Sequence, residues 1–200
     1  MKKILAIILI LVIASGMASC ASGKETNKTP TYDGEGNYLG FSDITESYTP
    51  EDAAEDGCLV IDSIGDDYTT SGYEKWERFV ERAEAGENAF LRVVHFIDGV
   101  GYYSDLHYYD GKYILFETNP ELGTNKICEF KYLRCLEGNI GMPGEQKKHF
   151  YYVLTDSLEL TYADVSRTIF ASSAAMASDI PFKWLGFTTH FRDEILKQEG

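Results

Sequence analysis

Two hydrophobic periods alternate along the chain, and their order predicts its architecture. Between residues 71 and 85, Tyr73, Trp76, Phe79, Val80 and Ala83 recur at helical spacing, with Glu74, Lys75, Glu77, Arg78, Glu81 and Arg82 on the opposite face. Ser71 and Glu74 have capping-box spacing and Gly86 supplies a stop, so one amphipathic helix is expected there. The period then drops to two over 90–97, 100–109 and 112–117, three strands separated by Asp98-Gly99 and Asp110-Gly111. Both dipeptides suit a two-residue type I′ turn, whose central residues need positive φ.

Counting outward from two such turns sets the register. Arg92 falls opposite Asp105, Val94 opposite Tyr103, and Leu91 opposite Leu106; the second turn places Leu106 opposite Leu115 and Tyr108 opposite Tyr113. One sheet face then carries Leu91, Val93, His95, Tyr102, Ser104, Leu106, Tyr108, Tyr113 and Leu115, which suits the Trp76 and Phe79 helix. The other carries Arg92, Val94, Phe96, Tyr103, Asp105, His107, Tyr109, Lys112, Ile114 and Phe116. That second face has more aromatic area than a solvated surface accommodates, so either the C-terminal third covers it or it binds something. Tyr103, His107, Tyr109, Phe116 and Arg92 are its candidate binding residues.

Flanking segments extend this unit. Thr49-Pro50-Glu51-Asp52 starts a short helix over 50–56, followed by a strand over 58–62 that Ile64-Gly65-Asp66-Asp67 breaks. Beyond a loop at 119–123, alternation resumes as one strand over 126–136, with Cys128, Phe130, Tyr132 and Leu136 on one side and Glu129, Lys131 and Cys135 on the other. A glycine-rich loop at 138–146 and an aromatic strand at 149–155 follow. Thr161 and Asp164 form a cap pair for a helix that includes Val165, Ile169, Phe170 and Ala174 and extends toward Ala177; residues 182–191 read as a strand or a packed loop, and 192–200 as a charged helical tail. The expected fold is α+β: an antiparallel meander of five or six strands on one main helix, plus a C-terminal helix.

The N-terminus sets the expected address. Lys2 and Lys3 precede an unbroken apolar run over 4–13, too short for a permanent membrane span, in the layout of a secretory signal. Met17-Ala18-Ser19-Cys20 resembles the bacterial lipobox, in which the cysteine becomes the acylated first residue of the mature chain. Residues 1–19 are therefore expected to be a signal peptide, 20–47 a polar tether, and 48–200 one domain. More than one acyl chain, palmitate included, would anchor Cys20 stably to the outer face of the cell membrane. The formal net charge of −14 disfavours nucleic acid and anionic lipid headgroups as partners.

Chemical motifs are sparse. Cys58, Cys128 and Cys135 remain after Cys20, an odd number, and Cys128 and Cys135 would stand about 23 Å apart in one extended strand, so any bridge involves Cys58. Asp33-Gly34-Glu35-Gly36-Asn37 fails as a calcium loop because Tyr38 and Ile44 occupy the positions requiring Gly and Glu. Asp62, Asp66 and Asp67 flank a turn, and Ser172 and Ser173 lack a nucleophile elbow. His95, His107, His149 and His190 lie in different segments without close metal-ligand spacing. His107 beside Asp105 is the one local histidine and carboxylate pair, and it defines the alternative of an envelope hydrolase. The favoured expectation is a non-enzymatic lipoprotein, without cofactor or metal, that binds an envelope protein or a small ligand.

Tyr48-Thr49-Pro50-Glu51-Asp52-Ala53, followed by Gly57, a short apolar strand, the amphipathic helix, the strand pair and the Asp110-Gly111 turn, resembles a family of uncharacterised small lipoproteins of Gram-positive bacteria classed as a domain of unknown function. The resemblance covers about 48–117 and extends less closely to 155. It implies the same compartment and an α+β fold, and assigns no catalytic residue. Where family members tend to have a cysteine near the end of the later aromatic strand, this chain has Thr155-Asp156-Ser157, which argues against a family-like disulfide from Cys135.

Overall fold

A computed structural model describes residues 38–119, 124–142, 144–173 and 177–191. The expected signal peptide, Cys20 and most of the tether lie outside the described residues, as do Ala174 and the expected tail.

The fold is α+β, with a six-stranded and a three-stranded sheet. In chain order the elements are α1 (Pro50–Glu55), β1 (Leu59–Ile64), β2 (Asp67–Ser71), α2 (Tyr73–Glu84), β3 (Ala89–Ile97), β4 (Val100–Tyr109) and β5 (Lys112–Asn119). Next come β6 (Thr124–Phe130), β7 (Tyr132–Ile140), β8 (Lys147–Thr155), α3 (Tyr162–Ile169), β9 (Phe182–Trp184) and a 3-10 turn (Gly186–Phe191). The large sheet runs β2-β1-β3-β4-β5-β6 and the small one β7-β8-β9.

Both Asp-Gly turns form as the spacing demands. Asp98 and Asp110 have φ of 48° and 51°, and the following glycines 82° and 76°. All five counted pairs occur, among them Arg92 with Asp105 and Leu106 with Leu115. Alternation therefore assigns the faces of β3, β4 and β5 as expected.

Four elements differ from expectation. The large sheet is mixed, because β1 runs parallel to β3. A hairpin to β2 followed by the α2 crossover reverses the chain twice before β3, which makes the first and third strands parallel. β2 escapes periodicity because it is an edge strand of sequence Asp-Tyr-Thr-Thr-Ser, four of whose five residues are exposed. The single strand expected over 126–136 breaks at Lys131: β6 closes the large sheet, while β7 begins the small one and continues through residues 138–140, where a loop was expected. The C-terminal helix stops at Ile169, and 182–191 resolves into a three-residue strand and a 3-10 turn.

The cap of α2 is also different. Ser71 stays in β2, paired with Val60, and the N-cap is Gly72 in the left-handed region at φ 81°, with no side-chain hydrogen bond. A Cβ at Gly72 would lie 2.9 Å from the Cys58 carbonyl oxygen, so strand and helix can join this tightly only without one. By contrast, Thr49 with Asp52 and Thr161 with Asp164 form the expected reciprocal capping boxes.

The main core lies on the first face of the large sheet. Leu59, Ile61, Leu91, Val93, Leu106 and Leu115 meet Trp76, Phe79 and Ala83 from α2, and also Phe150, Leu154, Leu185 and Phe191. Residues 182–191 thus pack on the same face as α2 and leave the aromatic second face to another cover. Cys58 is buried, and among the described residues no disulfide joins Cys58, Cys128 and Cys135.

Gly72 and Gly65 separate two costs. Both have positive φ, but the Cβ site of Gly65 is open. Gly65→Ala is expected to lose about 1–2 kcal/mol in urea denaturation, the ordinary cost of left-handed backbone, and Gly72→Ala about 3 kcal/mol or more because of the added clash. Equal losses would contradict this role for Gly72.

Candidate functional site

The five residues of the expected binding face do not share an open surface. Arg92, His107 and Phe116 are 4%, 4% and 7% exposed, Tyr103 is half-buried, and only Tyr109, at 61%, faces solvent. Their cover comes from residues 38–48, most of which the sequence assigned to the tether. Tyr38 lies with its ring centre 3.9 Å from that of Phe116 and edge-on to His107 at 5.4 Å. Phe41 packs on Tyr103 at 5.7 Å and beneath the Arg92 guanidinium at 5.3 Å. Tyr48 contacts Tyr103 and donates its hydroxyl to Asp56 at 2.8 Å.

A polar knot fastens this cover. Arg92 donates Nε–H and an Nη2–H to the two oxygens of Asp105, both at 2.8 Å, and reaches Asp43 through Nη1 at 2.9 Å. The Tyr38 hydroxyl donates to Asp105 as well. Although burial alone would favour loss of its charge, the paired carboxylates hold the Arg92 pKa above its ordinary value. Burial pushes Asp105 upward against the pull of its donors from Arg92 and Tyr38. Burial, and then the Arg92 charge, lowers the His107 pKa to about 4. As a general base His107 would need access to a substrate, and here it lies under Tyr38 and Phe116 with the Asp105 carboxylate already engaged.

The first face has a different open region. Near the β3–β4 turn, five neighbouring strands each place a polar side chain on this face: Tyr68 from β2, Ser63 from β1, His95 from β3, Tyr102 and Ser104 from β4, and Glu117 from β5. β9 and the 3-10 turn roof this band. Between them lies a cleft of about 400 Å³, lined by His95, Tyr102, Ser104 and Glu117 on the sheet side and by Lys183, Phe187 and His190 on the roof. Val93, Leu115 and Leu185 line its deeper, apolar part.

Two contacts tie roof to sheet. Lys183 on β9 pairs with Glu117 on β5 at 2.6 Å, each about a quarter exposed. His190 stacks edge-on against His95, ring centres 5.1 Å apart, and against Tyr68 at 4.7 Å. His95 Nε2 is 2.9 Å from Ser63 Oγ. Both histidines have lowered pKa values: burial acts first on His95, followed by His190 and opposed by Asp62, while burial accounts for His190.

Sequence reasoning placed His95, Tyr102 and Ser104 on the face assigned to the core but did not read three polar side chains there as a site. That excess was the available signal. Ser63, Glu117, Lys183 and His190 join them only through strand order and the fold-back of β9, which local spacing does not encode. Among the described residues, no group of three or more metal-ligating side chains gathers in one place. No family model, curated protein or solved structure matches the chain.

The histidines predict a pH dependence. His95, His107 and His190 all have folded pKa values below the ordinary 6.5, so below that pH the unfolded chain binds more protons than the folded one. Their stabilisation is complete above pH 6.5 and declines as pH falls through the folded values, to about 4 for His107. The urea midpoint of the wild type should drop between about pH 7.5 and 5, and a His95→Asn, His190→Asn double variant should drop less over that range. Identical slopes would refute the contribution of the pair.

Proposed function

We propose that the chain is a lipid-anchored, extracytoplasmic binding protein that takes a small polar ligand into the cleft between its two sheets. The observation that carries this reading is the convergence of polar side chains from neighbouring strands, beneath a roof that supplies Lys183 and His190, around an open cleft of about 400 Å³. That volume falls in the ordinary range for small-ligand sites, about 300–1,000 Å³. An apolar floor with a few oriented polar groups at the mouth favours a ligand with one hydrophobic and one hydrogen-bonding side.

The anchor is part of the proposal. The apolar run and the lipobox-like Met17-Ala18-Ser19-Cys20 support acylation of Cys20 at the outer face of the cell membrane. The acidic composition suits a surface held away from anionic headgroups. A ligand-binding rather than hydrolytic role is supported by the burial of His107 and by the engagement of Asp105 with Arg92 and Tyr38.

Filling the cleft tests the reading. Ser104 is half-buried, lines the cleft and faces Glu117 across β4 and β5, so Ser104→Phe should occupy the space without touching the second face. Wild-type protein equilibrated with low-mass fractions of cell-envelope extract should retain a species by native mass spectrometry, and Ser104→Phe should weaken its retention by roughly tenfold or more. Tyr109→Ala, on the exposed rim of the second face, should retain it unchanged. Retention by none of the proteins, or equally by Ser104→Phe, would count against the cleft.

A further inference from the structure

The two histidines that line the cleft have a geometry beyond simple packing. His95 projects from β3 and His190 from the 3-10 turn, so two independent elements bring the rings together at 5.1 Å with planes 73° apart. Both are half-buried and both line the cleft, so water and ions reach them from that side. The His95 Nε2 contact with Ser63 Oγ is the hydrogen bond that involves the pair; among the described residues His95 Nδ1 and both nitrogens of His190 have no hydrogen-bond partner.

We infer that His95 and His190 form a two-histidine site for a divalent transition-metal ion of the zinc, copper or nickel class. An ion held tetrahedrally at ~2.0–2.1 Å from one nitrogen of each ring separates the ring centres by about 5 Å, which is the spacing observed. Imidazole is a ligand suited to these ions, whereas calcium and magnesium prefer oxygen. In the tautomer whose Nε2–H donates to Ser63 Oγ, His95 Nδ1 keeps its lone pair for the metal. Ser63 then makes the orienting contact that metal-bound histidines characteristically make to a second group.

Two protein ligands leave the remaining positions of the ion to water or to a ligand in the cleft. Such a site is open and exchangeable, unlike a closed structural centre with four protein ligands. It stands whether or not the cleft also takes an organic molecule, so its failure and that of the binding proposal are separable.

The test is titration of the full chain with Zn²⁺ at pH 7.5 by calorimetry, with Cu²⁺ as a paramagnetic probe. One equivalent should bind saturably; His95→Asn and His190→Asn should each weaken it by about tenfold or more, and Ser63→Ala by about tenfold. His149→Asn, on β8 of the small sheet with its ring against Tyr162 of α3, should bind as wild type does. Copper bound to the wild-type chain should show hyperfine coupling to two imidazole nitrogens, a readout that does not depend on any variant folding. Absence of saturable Zn²⁺ binding, persistence of binding in both histidine variants, or a copper spectrum without imidazole coupling would each overturn the assignment.

Discussion

Arg92 and Asp105 meet through two parallel hydrogen bonds in the interior of the second sheet face, and much of the fold follows from that contact. Removing one partner from such a buried pair typically costs about 3–5 kcal/mol, because the other charge is left without compensation. Its value here lies as much in position as in energy. A one-residue slip of β3 against β4 would put the guanidinium on the opposite face from the carboxylate, so the pair reinforces the register set by the Asp98-Gly99 turn. The same guanidinium binds Asp43, and the same carboxylate accepts from Tyr38, which fastens the N-terminal segment across the sheet.

The two faces consequently have opposite fates. Tyr38, Phe41 and Tyr48 close the second over Phe116, His107 and Tyr103, while Ala53 and Cys58 fill its lower end with Val94 and Phe96. Burial there pushes the Cys58 thiol up to about 11, which leaves it protonated and unreactive. The first face is divided along its strands: α2 and the small sheet cover the leucine and valine half, and the polar half remains beneath a roof held by Lys183–Glu117 and the His95–His190 contact. The polar side chains of this face gather where the core ends.

The legible part of this structure was the part written locally. Two Asp-Gly dipeptides were enough to assign Arg92 to Asp105 and to separate the faces of three strands, since hairpin turns impose register through backbone geometry alone. The cover over the second face was illegible because Tyr38, Phe41 and Tyr48 are isolated aromatics in a polar stretch, and Tyr38 finds its partner Asp105 67 residues later. β2 carries no alternation because an edge strand need not bury either side. The break at Lys131 was hidden because alternation continues on both sides of it. The cleft depends on strand order and on the fold-back of β9, which no local spacing encodes, so sequence reasoning directed attention to the aromatic face, and the open polar side chains lie on the other.

The central claim is that residues 38–47 belong to the fold and close the aromatic face through Arg92 and Asp105. It is tested most directly by comparing a chain that begins at Tyr38 with one that begins at Tyr48, using urea denaturation and the fluorescence of a dye that reports exposed apolar surface. The account predicts that the shorter chain unfolds at lower urea and binds the dye while still folded. Equal midpoints and equal dye fluorescence would contradict it.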